Sequence, residues 1–483
     1  MPPESVTLPV VAELTPAPDV LACLESVRHL PGVLLLESAL VREHVGRYSF
    51  LMADPYVTFE IPRVTYGDDP FREVRSTLAA SGVAAVPGLP PFQGGAAGLV
   101  GYGAGAAWER LPPPQRDEFA LPDIVLGLYD WVIAWDHAQR RAWIISQGFP
   151  AVSPADRAQR ANERLEQIRT LLARGPATRP AGKSHSMSYS LHGDETVNLD
   201  QLAPQYAAPG LEGLTSNFSR EGYLDAVRRA IEYIRAGDIF QVNLSQRLLY
   251  RWQRDPLELY RRLRARNPAP FAGYFAHADW AIASASPERF LCAENGVVET
   301  RPIKGTRRRK PGPEADLFTR DELRESEKDR AENVMIVDLL RNDLSRVCRP
   351  GSIRVPHLCS VETYETVQHL VSEVRGELEA GRTAWDLLAA AFPGGSITGA
   401  PKVRAMEIIQ ELEPTARGPY CGSLVCIGYD GRFDSSILIR TFTVRGGWVQ
   451  CPVGGGIVAQ SDPVAEYEET LHKAAGMLRA LEA

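Results

Sequence analysis

The sequence predicts an α+β protein, and three observations predict it. Strand-like apolar runs and helical periodicities follow one another in unequal blocks, without the regular βαβ alternation of a doubly wound sheet. Asn295-Gly296, set between two apolar runs, marks a tight two-residue hairpin. One compositional break, residues 174–215, separates a strand-rich first part (1–173) from a mixed second part (216–483).

In the first part, 32–36, 124–135 and 141–146 read as strands, and 154–172 reads as a helix. The break opens with Gly175-Pro176 and continues through polar, Pro- and Ser-containing sequence, the composition of a surface linker or insertion. Beyond it, Leu224, Val227, Ile231 and Ile234 give 222–236 a helical stripe, and 240–247 alternates like a strand. Helices follow at 331–348, 402–412 and 463–481, and 435–444 reads as a strand.

Composition narrows the class. Of 483 residues, 44% are hydrophobic and 23% charged, which suits a globular chain with a sizeable core. A net charge of -7 gives no general field for nucleic acid. The longest apolar stretch, 124–135, is too short to span a bilayer and contains Asp130. Seven cysteines form no Cys-x-x-Cys pair, so the chain is expected in a reducing cytoplasm.

Three constellations carry chemistry. In the first, Asn295-Gly296 sets Glu294 opposite Val297, and counting outward sets Glu288 opposite Ile303, one rung from Lys304. Strict parity puts Glu288 and Lys304 on opposite faces, so a bulge at Pro302–Gly305 is needed to bring them together. A nucleophilic Lys304 must also lose its proton near neutral pH, through burial or the nearby Arg307 and Arg308.

The second is the C-terminal helix, which presents Glu466, Glu469 and Lys473 on one face. Another helix opens with Glu332, and carboxylates from two helices suit octahedral Mg²⁺. The third is the small-residue loop Phe392–Lys402 running into a helix, a junction whose free N–H groups suit a carboxylate. It is no Walker loop, because Ala400-Pro401 follows Gly399, and Gly101-Tyr102-Gly103 is no dinucleotide fingerprint.

Motifs from Ser216 onward resemble those of the chorismate-utilising enzymes. They are Ser216–Arg220 (SNFSR), Asp238–Ser245 (DIFQVNLS), Ser286–Phe290 (SPERF), Arg301–Thr306 (RPIKGT), Ala331–Asp343, Thr366–Ser372 (TVQHLVS), Gly394–Lys402 and Gly454–Ile457. The resemblance implies the four-layer α/β/β/α fold of anthranilate synthase component I, with antiparallel-rich sheets packed face to face. It also implies chorismate as substrate and Mg²⁺ as cofactor. Matching positions imply Glu332 and Glu469 as metal ligands with Glu466 nearby, and Glu288 as the acid–base residue at the departing hydroxyl. Tyr420, Arg440 and the loop of Gly454, Gly455 and Gly456 take the grip on the substrate carboxylates. Ser396 and Lys473 line the site, His369 lies close to the ring, and Gln241 stands where isochorismate-forming relatives place a water-activating lysine.

Lys304 divides the family, since anthranilate synthases resemble this chain but carry alanine there. A lysine beside the ring, with Gln241 at the water position, matches the aminodeoxychorismate synthases. That implies amination of chorismate through a covalent Lys304 adduct, with ammonia from a glutamine amidotransferase subunit in a heterodimer. Leu36, Glu37, Ser38, Tyr48, Ser49, Pro270 and Phe271 resemble the family's tryptophan pocket. Two other readings stay open: an anthranilate synthase subunit with an atypical lysine, and a non-catalytic tryptophan-binding regulator of the same fold. The latter is expected to lack the metal carboxylates, yet Glu332 and Glu469 are both in place.

Overall fold

A computed structural model of the chain describes residues 8–41, 45–175, 197, 202–310, 312–363 and 367–482. Among them the strands form two sheets, and every ladder is antiparallel. In the larger sheet, Val10–Leu14, Arg141–Ser146, Trp131–Asp136, Tyr48–Met52 and Leu34–Glu37 lead into Phe271–His277, Trp280–Ser286, Thr441–Arg445, Trp448–Ile457 and Gln241–Arg251. The smaller sheet runs from Ile303–Arg308 through Val367–Glu377, Val297–Thr300, Arg289–Glu294, Phe433–Ser436 and Ser423–Gly428 to Gly95–Val100, Ile124–Tyr129 and Val57–Ile61. Residues before and after the break at 174–215 thus contribute strands to both sheets.

The sheets pack face to face through Leu34, Met52, Val132 and Ile282 on one side and Leu99, Val125 and Leu424 on the other. Helices cover both outer faces. Leu24, Leu165, Leu263 and Met477 pack on the larger sheet, and Val74, Ile336, Leu340 and Leu387 on the smaller. The layers are α/β/β/α, as the resemblance implied. Because both faces are covered, strands such as Ile124–Tyr129 and Trp131–Asp136 are buried at every position. That is why they read as unbroken apolar runs instead of alternating ones.

Two segments read as single strands are each two strands in different sheets. The run 124–135 breaks at Asp130, which is fully buried with its carboxylate 3.8 Å from Arg164. The run 435–444 breaks between Ser436 and Thr441, where Arg440 adopts a left-handed φ of 52°. In both cases the chain crosses from one sheet to the other, a step that hydrophobic pattern does not encode.

Helix limits follow their caps. Ser153 starts Pro154–Arg174, Ser219 starts Arg220–Ala236 and Asp462 starts Pro463–Leu478, each side chain accepting from a backbone N–H in the first turn. The helix expected at 331–348 runs Glu327–Ser345, a turn earlier, because Ser326 accepts from Asp329 N at 3.3 Å. Of the expected linker, 176–196 and 198–201 lie outside the described residues. Its end supplies two short strands, Tyr206–Ala207 and Thr215–Ser216, at the edge beside Gln241–Arg251. No helix among the described residues is long and apolar enough to cross a membrane.

Candidate active site

The hairpin forms as counted, with Glu294 opposite Val297 and positive φ at Asn295 (51°) and Gly296 (79°), the signature of a type I′ turn. The count fails further out. Ile303–Arg308 pairs with Val367–Glu377, not with the strand of Glu288, and sets Lys304 opposite Leu370. The expected register shift is present at Gly305 (φ 77°), but it comes after Lys304. A second shift, between Arg289 and Cys292 where they face Phe433–Ser436, separates Glu288 from the hairpin's parity. With parity reset there, Glu288 and Lys304 line the same cavity of about 540 Å³.

Glu288 is buried and Lys304 half-buried in its wall. Burial pushes the Glu288 carboxyl up to about 7, against the opposing pull of Lys304, the Ser396 hydroxyl and Arg440. Burial also holds the Lys304 ammonium below its usual value, with Lys473 acting in the same direction and Glu332, Glu288 and Glu469 against it. The Arg307 contribution expected from sequence is spent elsewhere, since its guanidinium pairs with Asp329 at 3.0 Å and Glu322 at 3.4 Å. The Arg308 side chain lies outside what is described.

The Gly395–Ile397 turn delivers Ser396 between the two groups. Its hydroxyl donates to Glu288 Oε1 at 3.0 Å and its carbonyl accepts from Lys304 Nζ at 3.4 Å. Gly395 packs closely there: a Cβ would stand 2.4 Å from Leu339 Cδ2 and would displace that side chain. The junction expected to bind a carboxylate lies elsewhere: Ser396 and Ile397 line the cavity, and the first turn of the helix Lys402–Leu412 does not.

Glu332 and Glu469 reach the same cavity from two helices. Burial raises the Glu332 carboxyl, helped by Asp329 and Glu469. For Glu469 burial also acts upward, but Lys473 (2.7 Å), Lys328 and Lys304 outweigh it and its pKa falls. Glu466 is buried behind them, accepts from Ser461 Oγ at 2.6 Å and does not line the cavity. Gly455 packs against these carboxylates, and a Cβ there would stand 3.2 Å from Glu466 and 3.5 Å from Glu469. Among the described residues no group of three or more His, Cys, Asp or Glu side chains forms a metal cage. Two all-oxygen donors facing an open cavity suit a hard cation that takes its remaining ligands from substrate and water.

His369, Tyr420, Arg440, Gly454, Gly456 and Lys473 line the cavity, as expected of substrate-binding residues. Lys473 Nζ donates to Gly454 O at 2.9 Å. Arg440 and Cys421 both hold left-handed backbone (φ 52° and 63°), strain that clusters at the cavity wall. Gln241 is not in the wall. It is fully buried behind Gly456, where a Cβ would stand 2.3 Å from its Nε2, and its amide has no hydrogen-bond partner among the described residues.

Sequence reasoning missed Lys328, Asn243 and Arg417, all in the wall. Lys328 was legible, four residues before Glu332 on one helix. Arg417 was not, because only Glu413 is near it in sequence, while Ile397 O at 2.9 Å and Asn243 O at 2.7 Å are tertiary partners.

A second cavity, of about 390 Å³, is lined by Leu36, Glu37, Ser38, Tyr48, Pro270 and Phe271. Ser49 lies one layer behind, accepting from Ser38 N at 3.0 Å. The Glu37 carboxylate is taken by Arg264 (2.7 Å) and Tyr260. Arg289, Cys292 and Asp434 complete the wall, none of them signalled by the sequence pattern.

Residues 37–479 match the profile of the chorismate binding enzymes, and the chain belongs to that family. It is 44% identical over 448 residues to anthranilate synthase component 1 of Streptomyces coelicolor, covering 92% of this chain and 83% of that one. It is 40% identical over 469 residues to aminodeoxychorismate synthase component 1 of Salmonella typhimurium, covering 94% of each. Anthranilate synthase component I from Streptococcus pneumoniae superposes with a TM-score of 0.73 at 30% identity, over 91% of this chain and 93% of that one. The chain is therefore a chorismate-utilising enzyme of the aminodeoxychorismate synthase and anthranilate synthase I type.

Proposed function

We propose that this chain is the chorismate-aminating component of an aminodeoxychorismate synthase, and that it forms 4-amino-4-deoxychorismate. One observation carries the reading: a lysine amine, Lys304, shares a small cavity with a carboxyl held near pKa 7, Glu288. The Lys304 amine adds to C2 of chorismate, the ring double bonds shift, and the C4–oxygen bond breaks. Glu288 gives its proton to the departing hydroxide, which leaves as water. Ammonia then adds at C4, the double bonds shift back, and the C2–nitrogen bond breaks to return the Lys304 amine. Pyruvate stays on the ring. Tyr420, Arg440 and the Gly454–Gly456 backbone bind the substrate's two carboxylates, and Lys473 lines the site beside them. Glu332 and Glu469 would hold Mg²⁺, with Glu466 behind them, and the ion would neutralise substrate negative charge when bound. Ammonia comes from a glutamine amidotransferase subunit, a reading supported by relatives that are named as component 1 of their synthases.

The 44% identity to an anthranilate synthase component 1 favours a second reading, in which the product is anthranilate and Lys304 forms no adduct. Incubation of the pure chain with chorismate, Mg²⁺ and ammonia, followed by mass identification of the product, separates the two. The expected product is non-fluorescent and retains the enolpyruvyl group. Fluorescent anthranilate overturns the first reading, and undiminished C4 amination by Lys304→Ala overturns the covalent step within it.

A further inference from the structure

We propose that Ser396 is the positioning residue of the acid–nucleophile pair, its hydroxyl orienting Glu288 and its carbonyl orienting Lys304. The inference rests on the role given to that pair above. Among the described residues the Glu288 carboxylate receives one hydrogen bond, from Ser396 Oγ at 3.0 Å, and the Lys304 amine makes one, to Ser396 O at 3.4 Å. No ion pair within 4 Å joins Lys304 to Glu288 in the described structure. One residue therefore stands between them and contacts both.

The consequence is directional. The Glu288 backbone is fixed on both sides, its N–H bonding to Ser286 Oγ at 3.3 Å and its carbonyl accepting from Ile437 N at 3.1 Å. What remains free is the carboxyl torsion, and Ser396 fixes it. With Oε1 accepting from the serine, the acid proton resides on Oε2. In the same way, a neutral Lys304 that commits one N–H to Ser396 O keeps its lone pair for carbon. Ser396 is itself held: Arg417 donates to Ile397 O at 2.9 Å, Thr398 Oγ1 donates to Gly394 O at 3.0 Å, and Gly395 abuts Leu339. A site whose orienting residue is locked by its own neighbours loses little on ordering at the moment of reaction.

The hydroxyl also favours ionised Glu288, so removing it must raise the carboxyl's pKa further. The other groups facing Glu288 are Lys304 on its strand, Arg440 at the sheet crossing and Cys421 at the turn before Ser423–Gly428, and Ser396 substitutions leave these in place.

The test follows chorismate consumption by absorbance against pH, in the full chain with Mg²⁺ and ammonia. This readout does not depend on which aminated product forms, so an anthranilate product would overturn the amination reading and leave this comparison standing. Ser396→Ala is expected to lower kcat with KM within about twofold of wild type. The pH break set by Glu288 should move up by roughly 0.5–1 pH unit, a three- to tenfold change in the ionisation constant. Ser396→Thr, which keeps the hydroxyl, is expected to hold the wild-type break. Ser396→Val, its isostere without the hydroxyl, is expected to shift like alanine, and this pair decides the matter if Ser396→Ala does not fold. A break at the same pH in the Thr and Val variants, or in Ala and wild type, overturns the proposal.

Discussion

Glu288 and Arg289 are consecutive residues that line two different cavities. Glu288 lines the cavity it shares with Lys304, while the Arg289 guanidinium forks onto Asp434 with both contacts at 3.0 Å and lies 5.2 Å from the Phe271 ring centre in the second cavity. The register shift between Arg289 and Cys292 is what aims them apart. L-Tryptophan is the ligand expected in the second cavity, which offers Phe271, Pro270 and Tyr48 for an indole ring. Calorimetry should give one binding site per chain, and Phe271→Ala should weaken it by at least about tenfold, or 1.4 kcal/mol. Wild-type chain that gives no heat with millimolar tryptophan would rule that ligand out.

The pH profile follows from two opposite requirements. Glu288 must carry a proton to assist the leaving hydroxide. Its pKa is raised to about 7, so the acid form prevails below that pH and is lost as pH rises through it. Lys304 must be neutral to attack carbon, and its lowered pKa admits more of that form near neutrality, a form lost as pH falls. The dependence of kcat/KM on pH is therefore bell-shaped, and the fall at high pH is caused by loss of the Glu288 proton. Glu288→Gln should lower kcat by roughly 10²–10⁴-fold and abolish that fall. A fall that survives the substitution belongs to another group.

Magnesium affinity should track the two carboxylates that share the cavity. Glu332→Gln and Glu469→Gln are each expected to weaken Mg²⁺ binding, measured by titration without substrate, by roughly tenfold or more. Glu466→Gln should act less, because Glu466 stands behind the wall and already accepts from Ser461. Equal loss at all three positions would make Glu466 a direct ligand and contradict the arrangement seen here.

How much was legible depends on whether the signal was local. The I′ turn at Asn295-Gly296 and the helices Pro154–Arg174 and Lys402–Leu412 were written in short stretches and formed where read, to within two residues. The sheet crossings at Asp130 and Arg440 were not, because an apolar run looks the same whether it stays in one buried sheet or passes to another. The Glu288–Lys304 pairing was anticipated for a partly mistaken reason. A bulge was expected beside Lys304, whereas the shift that matters lies near Arg289, on a different pair of strands. Ser396 could be placed in the site by its motif, but its bond to Glu288 joins residues 108 positions apart and had no sequence signature.

Arg417 shows what supports the site from beneath. Its side chain is 3% exposed and that of its partner Glu413 4%, and the two meet at 2.6 Å. The remaining donors go to Ile397 O beside Ser396 and to Asn243 O on the opposite wall. Arg417→Met leaves Glu413 buried without its cation, although Ser245 still donates to it twice at 2.8 Å. The expected cost is about 3–5 kcal/mol, read as a lowered thermal midpoint. Glu413→Gln combined with Arg417→Met removes the orphaned charge and should recover part of that loss, because the penalty lies in the uncompensated carboxylate more than in the missing contact. Chorismate turnover should stay low in the double variant, since the Ser396 turn and the Asn243 strand still lack their common anchor. A double variant that regains stability and full turnover together would show that the anchor is dispensable. A double variant no more stable than the single would show that packing, not charge, is what Arg417 contributes.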